Sequence, residues 1–191
     1  FNDTATTEIY PLSLHDAHPI LMRDAHRRPP HTDAWQAVVG APGFALGLRC
    51  DVDTMHVIEF LPACPEQPPA NPLAAEAARQ IRAYLEDPAH RFTLPLRATG
   101  TAFQRRVWAA IAAIPCGEVR SYGEIAQSLG STPRAVGQAC GDNPLPLIVP
   151  CHRVVARGGM GGFSHHAQGW LPEVKRWLLL HERPLPPLFA D

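Results

Sequence analysis

The sequence predicts an α+β fold, in which a small antiparallel sheet with one helix precedes a largely helical second half. Three segments at 35–39, 44–50 and 56–61 are rich in β-branched and aromatic residues, and glycine, proline or aspartate separates them. Further along, two segments open with a capping pattern and continue with apolar residues at helical spacing. Strand signals followed by helix signals are typical of the α+β class.

The first predicted helix follows a proline-rich loop at 62–70. Asn71 suits the N-cap, Pro72 suits the first helical position, and Pro88 would end the helix. The apolar face of this helix comprises Leu73, Ala77, Ile81 and Tyr84. These residues therefore predict one helix after the sheet.

Two capping boxes, Thr101-x-x-Gln104 and Ser121-x-x-Glu124, predict two further helices. The first buries an apolar face made of Phe103, Val107, Ile111 and Ile114. The second leads through a glycine-containing turn into another helix that ends near Asp142. Two short helices around such a turn are typical of a helix-turn-helix, although an ordinary αα corner has the same pattern.

Composition limits the class of protein. Five cysteines, an odd number without a Cys-x-x-Cys pair, argue against a disulfide scaffold and favour a reducing compartment, so we expect a cytoplasmic protein. No apolar run approaches the ~18 residues of a membrane span, so no membrane association is predicted. Seven arginines against three acidic residues give residues 97–157 a net charge of +4, although the whole chain carries −1. This charge suits contact with phosphates, as well as a solvated helix face.

These patterns divide the chain into four parts. Residues 1–34 lack sustained periodicity and are expected to be a non-native or disordered lead-in. Residues 35–96 form the sheet-and-helix domain, and residues 97–185 form a C-terminal domain that ends with a helix starting at Pro172. Residues 186–191 are a tail.

The segment 148–155, with the sequence Ile-Val-Pro-Cys-His-Arg-Val-Val, has the clearest chemistry. Polar side chains between β-branched residues would each need a partner inside a buried strand. A reactive cysteine, by contrast, needs a neighbouring base or cation to generate its thiolate. We interpret Cys151 as a nucleophile, and the other four cysteines as small buried apolar residues.

Together with Asn143-Pro144, this segment resembles the active-site signature of the O6-alkylguanine-DNA alkyltransferases. The resemblance covers roughly the C-terminal half of the chain and includes, in the same order, residues 99–104, 114–115, 117–118, 121–123, 134–137 and 175–182. It implies a ribonuclease H-like N-terminal domain and a winged-helix-like C-terminal domain. It also implies irreversible alkyl transfer from O6-alkylguanine, and from O4-alkylthymine, to the protein's own cysteine, with one turnover per molecule.

The resemblance also implies residue roles in the chemistry. Cys151 accepts the alkyl group, His152 takes its proton through a water, and Glu182 holds and polarises His152. Tyr122 contacts the flipped nucleotide and helps to protonate the leaving base. Asn143 orders the turn that presents the cysteine. No cofactor is implied.

For DNA, the resemblance implies a monomer that binds double-stranded DNA in the minor groove and extrudes the damaged base. Arg134 fills the vacated place in the stack, and the small Ala135 and Gly137 allow close approach. The backbone carbonyl of Val154, with that of the acceptor cysteine, receives the guanine amino group. Ser164 donates towards the guanine oxygen.

Other readings and departures are part of the prediction. Cys50 and Cys64 lack metal-ligand spacing, so no metal is expected. A non-catalytic lesion-sensing alkyltransferase-like protein would typically have tryptophan at Cys151, and a Cys-His hydrolase would lack the helix-turn-helix. His165-His166 replace the family's usual Gly-Gly, and the segment that follows is longer. We expect this 165–171 loop to rise and to admit alkyl groups larger than methyl.

Overall fold

The structure is a computed structural model that describes residues 35–183. The predicted lead-in at 1–34 and the predicted tail at 186–191 lie outside the described residues. In chain order the elements are β1 (Ala37–Ala41), β2 (Phe44–Cys50), β3 (Met55–Pro62), α1 (Pro72–Glu86), α2 (Ala102–Ala112), β4 (Arg120–Ser121), α3 (Tyr122–Leu129), α4 (Pro133–Gly141), a 3-10 turn (Cys151–Arg153), β5 (Val154–Val155) and α5 (Trp170–His181).

The first three strands form the predicted antiparallel sheet, in the order β1-β2-β3. Gly43 adopts a φ of 84° in the first hairpin, a conformation that glycine reaches without strain. In the second hairpin, Asp51 accepts hydrogen bonds from the backbone amides of Asp53 and Thr54. Each predicted strand is confirmed to within two residues at either end.

Helix α1 begins as the sequence predicts. The Asn71 side chain accepts a 2.8 Å hydrogen bond from the amide of Ala74, and Pro72 occupies the first turn. Ala77, Ile81 and Tyr84 are buried against the sheet and the C-terminal half. Burial of this one face provides most of the helix's stabilisation, because isolated helices of this length are marginal in water.

The C-terminal half contains the two predicted capping boxes, both fully formed. Gly130 ends α3 in the left-handed conformation. Thr132 is the N-cap of α4, and its hydroxyl accepts a hydrogen bond from the amide of Ala135. Helices α3 and α4 pack against each other around this turn, so the two-helix arrangement of the prediction is present.

Two features go beyond the prediction or differ from it. The segment around Cys151, for which no conformation was predicted, is a 3-10 turn followed by the short strand Val154–Val155, which pairs in parallel with β4. Helix α5 starts at Trp170, two residues before the predicted Pro172, since proline is tolerated within a first turn that needs no amide donor.

The larger of two apolar clusters joins the sheet, α1 and the C-terminal helices, and the smaller one consists of Trp35, Val38, Ala45 and Leu61 of the N-terminal half. The backbone also connects the halves, because the amide of Ile58 in β3 donates to the carbonyl of Pro144 at 2.9 Å. No helix in the described part of the chain is long and apolar enough to cross a bilayer. The segment that carries Cys151 is therefore held between the sheet and the helices.

Candidate active site

Cys151 starts the 3-10 turn and is buried at one wall of a cavity of about 190 Å³. Pro150 precedes it, and the Cys151 amide donates to the carbonyl of Val149 at 2.8 Å. The cavity is lined by Tyr122, Gly137, Cys140, Gly141, Cys151, Gly162, Phe163, Ser164, His165, His166 and Ala167. Three of the predicted site residues thus line the same cavity as the thiol: Tyr122 on α3, Gly137 on α4 and Ser164 in the loop before α5.

His152 and Glu182 form a buried pair, with 2.7 Å between Nε2 of the imidazole and Oε1 of the carboxylate. A carboxylate only accepts, so Nε2 carries the hydrogen and Nδ1 is left with a free lone pair. That Nδ1 is buried and has no hydrogen-bond partner among the described residues. Burial lowers the pKa of His152, which outweighs the opposing effect of Glu182, so the imidazole is a neutral base.

Glu182 receives two further donors. Arg153 binds the carboxylate through Nε at 2.8 Å and through a terminal nitrogen at 3.0 Å, and the Tyr84 hydroxyl donates to Oε1 at 2.7 Å. Burial by itself raises the pKa of the Glu182 carboxyl, but the hydrogen bonds from His152, Arg153 and Tyr84 hold it well below its ordinary value. We call these four residues the Glu182 cluster.

The thiol and the buried amine of Lys175 are electrostatically coupled. Burial raises the pKa of Cys151, while the nearby Asn143 side chain and the charge of Lys175 oppose this effect. Burial lowers the pKa of Lys175 to about 8. Its Nζ donates to the carbonyls of Val154 at 2.7 Å, Met160 at 2.7 Å and Gly162 at 3.1 Å. Lys175 therefore joins the thiol segment to the far wall of the cavity.

Asn143 lies at the start of the turn that leads to Cys151. Its amide nitrogen donates to the carbonyl of Val149 at 2.8 Å, and its oxygen accepts from the amide of Leu145 at 3.1 Å. Within this turn Leu147 adopts a φ of 74°, which is unfavourable for a side chain with a Cβ. The two side-chain bonds of Asn143 stabilise this strained segment.

Tyr122 and Gly137 face each other across the cavity. Burial raises the pKa of Tyr122 to about 12, so its hydroxyl stays protonated and able to donate. This hydroxyl lies 3.4 Å from the carbonyl of Gly162. A Cβ at Gly137 would lie 3.9 Å from the tyrosine ring, an ordinary contact. Packing inside the protein therefore does not require glycine at 137.

Of the predicted DNA-contacting residues of α4, Gly137 lines the cavity, and Arg134 and Ala135 lie near the start of the helix. Arg134 is exposed at the second position of the helix, one turn before Gly137, so both residues lie on the same side. Ala135 is half-buried, and its amide donates to the capping hydroxyl of Thr132 at 3.3 Å. The helix thus presents a cation beside the mouth of the cavity.

Val154 and Ser164 are also located near the thiol. The Val154 carbonyl already accepts a hydrogen bond from Lys175, which leaves one lone pair for a second donor. Ser164 is half-buried with a φ of 47°, and His165 follows with a φ of 63°.

The 165–171 loop does not rise at its first residue, contrary to the expectation. Nε2 of His165 lies 2.9 Å from Oδ1 of Asp142 at the end of α4, and the imidazole leaves no space for a Cβ at Gly141. Two consecutive left-handed residues without glycine turn the chain back onto the helix, a combination that sequence patterns rarely indicate.

Sequence reasoning missed Tyr84, Arg153 and Lys175 as site residues. Arg153 stands inside the signature and Lys175 inside the matched segment 175–182, so both carried a signal. Tyr84 carried only its helical periodicity, which is shared by ordinary core residues.

The other cysteines differ in burial. Cys50 and Cys140 are buried as expected, Cys116 is half-buried, and Cys64 is exposed, contrary to the prediction. Cys140 lines the same cavity as Cys151, and burial raises its pKa to about 12. Within residues 35–183, no group of three or more His, Cys, Asp or Glu could hold a metal ion.

Comparison with known proteins gives consistent similarities. Residues 102–184 match the family model described as "6-O-methylguanine DNA methyltransferase, DNA binding domain". The constitutive methylated-DNA–protein-cysteine methyltransferase of Bacillus subtilis is 44% identical over 115 residues, which cover 59% of this chain and 67% of the relative. Its counterpart from Shigella flexneri is 48% identical over 93 residues, which cover 47% of this chain and 52% of the relative, about half its length.

Solved structures extend the similarity to the N-terminal half. The O6-methylguanine methyltransferase of Mycobacterium tuberculosis superimposes with a TM-score of 0.66 at 35% identity, covering 81% of this chain and 94% of that one. The same organism's OGT in complex with DNA gives a TM-score of 0.62 at 34% identity, with 76% and 91% covered.

Proposed function

Since the chain belongs to the O6-methylguanine DNA methyltransferase family, we propose that it repairs DNA by transferring an alkyl group from O6 of guanine to its own Cys151. One observation supports this proposal: the thiol shares a cavity with Tyr122 and Ser164, which are predicted to contact the base, and is followed directly by a neutral, buried imidazole whose Nδ1 has no hydrogen-bond partner among the described residues. A nucleophile beside an oriented base is the arrangement that covalent group transfer needs.

The proposed reaction is a single displacement. His152 takes the thiol proton through a water, and the sulfur attacks the alkyl carbon. A carbon–sulfur bond forms, the carbon–oxygen bond breaks, and the electron pair remains on the guanine oxygen. Tyr122 supplies a proton to the leaving base. Because a thioether is a poor leaving group, the protein is spent after one transfer.

Glu182 supports the proton transfer from behind the imidazole. As His152 gains a proton, the ionised carboxylate 2.7 Å away stabilises the positive charge that develops. Arg153 keeps Glu182 ionised, so that the carboxylate orients the imidazole without taking up the proton. The Glu182 cluster thus stabilises the charge on His152 in the protein interior, where bulk water is not present to solvate it.

Base extrusion supplies access to the alkyl group, which is otherwise stacked inside the duplex. The exposed Arg134 on α4 replaces the extruded base in the minor groove, with Ala135 and Gly137 allowing close approach. The free lone pair of the Val154 carbonyl accepts from the guanine amino group, and Ser164 donates to the guanine oxygen. The DNA complex of the M. tuberculosis OGT, which has the same fold, supports DNA as the partner.

Finer properties of this proposal follow the family resemblance. They are action on O4-alkylthymine as well as O6-alkylguanine, a monomeric protein in the cytoplasm, chemistry without a cofactor, and domains of the ribonuclease H-like and winged-helix-like types.

The deciding experiment is intact-protein mass spectrometry after incubation with duplex DNA that contains O6-methylguanine. We expect one methyl group on the wild type and on Cys140→Ala, a matched control that removes the other thiol of the cavity. Cys151→Ala should gain no mass but still bind the duplex. Methylation of Cys151→Ala would show that another residue accepts the alkyl group. A wild type that binds the lesion and gains no mass would instead indicate a non-catalytic lesion sensor.

A further inference from the structure

Tyr84 connects the N-terminal half of the chain to the proposed catalytic residues. It lies on α1, outside the matched segment 102–184, and its hydroxyl donates to Oε1 of Glu182 at 2.7 Å. We propose that Tyr84 is a positioning residue for alkyl transfer, which fixes the Glu182 carboxylate so that the His152 imidazole stays oriented with its Nδ1 free to act as the base. This inference rests on the proposed function and adds an N-terminal residue to its machinery.

Glu182 needs such a support because its own helix does not provide one. It caps the C-terminus of α5, where the helix dipole disfavours a negative charge. Its other donors, His152 and Arg153, both belong to the 3-10 turn that carries Cys151. Among the described residues, Tyr84 is the donor that comes from outside this turn. Without it, the carboxylate and the turn could shift together.

Tyr84 is itself firmly held. Its ring is buried, with ring centroids 5.8 Å from Phe92 and 5.5 Å from His181. Its backbone carbonyl lies 2.9 Å from Nε2 of His181, so one residue of α1 contacts the last residue of α5 and the residue after it. Burial also raises the pKa of the phenol, so it remains a donor wherever transfer is measured.

The expected signature is a change in pH dependence. When the hydroxyl is removed, the charge of Glu182 is less satisfied and acts more strongly on His152, whose pKa should rise. The titratable and charged groups around this pair are Tyr84 from α1, Cys116 from the loop after α2, Arg153 from the 3-10 turn, and Lys175 and His181 from α5. Tyr84→Phe leaves the other four in place.

The test is the single-turnover rate of methyl transfer by full-length Tyr84→Phe as a function of pH. A hydrogen bond to a charged group is worth about 1.5–3 kcal/mol, so we expect a loss of roughly 10-fold or more in the plateau rate and a profile shifted to higher pH. Phe92→Leu is the matched control, because it loosens packing around the ring and keeps the hydroxyl. It should lower the melting temperature without moving the profile.

A double-mutant comparison tests whether Tyr84 acts through Glu182. Adding Tyr84→Phe to Glu182→Gln should cost little beyond Glu182→Gln alone, since the acceptor charge is already gone. Fluorotyrosine at position 84 keeps the shape and strengthens the donor, so it should shift the profile to lower pH even if Tyr84→Phe does not fold.

An unchanged rate and profile in Tyr84→Phe, with a melting temperature lowered like that of Phe92→Leu, would reduce Tyr84 to a packing residue. If the wild type itself transferred no methyl group, the proposed function would fail. The positioning role would then be read from the pH dependence of Cys151 alkylation by iodoacetamide, where the same shift would support it and its absence would overturn it.

Discussion

The two sides of Cys151 are built differently. Behind it, the Glu182 cluster is buried, and its carboxylate receives hydrogen bonds from three side chains. In front of it, the cavity is bounded by an exposed loop whose first residue, His165, is held by a surface pair to Asp142. The groups that move the thiol proton are therefore held in place by buried hydrogen bonds, whereas the shape of the cavity that would receive the alkyl group depends on a few weak surface contacts.

The largest effect should come from breaking the buried side. Glu182→Ala leaves the half-buried Arg153 charge without its ion-pair partner, and removing one partner of a buried ion pair typically costs about 3–5 kcal/mol. We expect the free energy of unfolding in urea to fall by this amount, and transfer to be lost in the fraction that remains folded. A stability equal to that of the wild type would mean that water reaches Arg153 and that the cluster is not closed.

The Glu182 carboxyl group should also make the stability of the protein depend on pH in the acid range. Its pKa is lower in the folded than in the unfolded chain, so its stabilising contribution is complete above the unfolded value of about 4.3 and is lost as the pH falls below it. The free energy of unfolding should therefore fall less between pH 7 and pH 4 in Glu182→Ala than in the wild type.

On the open side, Arg134→Ala should slow transfer from duplex DNA by about 10-fold or more, because extrusion of a base costs a few kcal/mol. The loss should be similar in every sequence context, since the residue replaces a stacked base and reads no base edge. Free O6-benzylguanine needs no extrusion and serves as the control substrate. An equal loss with the free base would contradict the extrusion role.

A subtler change on the same helix is Gly137→Ala. Replacing a helix-interior glycine without a clash should raise stability by roughly 0.5–1 kcal/mol. Transfer from duplex DNA should nevertheless slow, because the added methyl group faces the cavity and the DNA. Thermal unfolding and single-turnover rates separate the two effects, and a stabilised variant with an unchanged rate would show that the glycine is not needed for substrate approach.

The smallest effect on stability should come from His165→Gly, since an exposed contact between an imidazole and a carboxylate contributes at most about 1 kcal/mol. Its effect on selectivity should be larger, because the imidazole holds the loop against α4. In a competition among methyl, ethyl and benzyl lesions, we expect the variant to take the larger groups better than the wild type. A variant in which residues 165–171 are shortened to Gly-Gly should also accept the larger groups better. If either variant accepted a narrower range of alkyl groups than the wild type, another part of the protein would limit the size of the alkyl group.

How far the sequence predicts this molecule depends on the range of each interaction. The strands, the Asn71 cap and both capping boxes follow from residues at most four apart, and they appear where predicted. The 3-10 turn at Cys151 was missed because a short apolar run with polar residues inside does not distinguish among local conformations. The return of the 165–171 loop onto α4 was missed because left-handed histidine is rare.

The site residues divide in the same way. Cys151, His152 and Glu182 came from a recognisable signature, and the structure places the last two within hydrogen-bond distance of each other. Tyr84 could not be found from the sequence, because nothing local distinguishes a phenol that meets a carboxylate from a phenol that fills a core.

The hydrogen bond between Tyr84 and Glu182 joins residues 98 positions apart in the chain. During synthesis, a ribosome that adds about 5–20 residues per second incorporates Cys151 and His152 before it incorporates Glu182. The newly made thiol would therefore have no oriented base until the final helix docks onto α1, and contacts of such separation form late in folding. An incomplete chain would carry the acceptor cysteine without the means to activate it. The order of translation thus postpones the chemistry of a protein that can react only once.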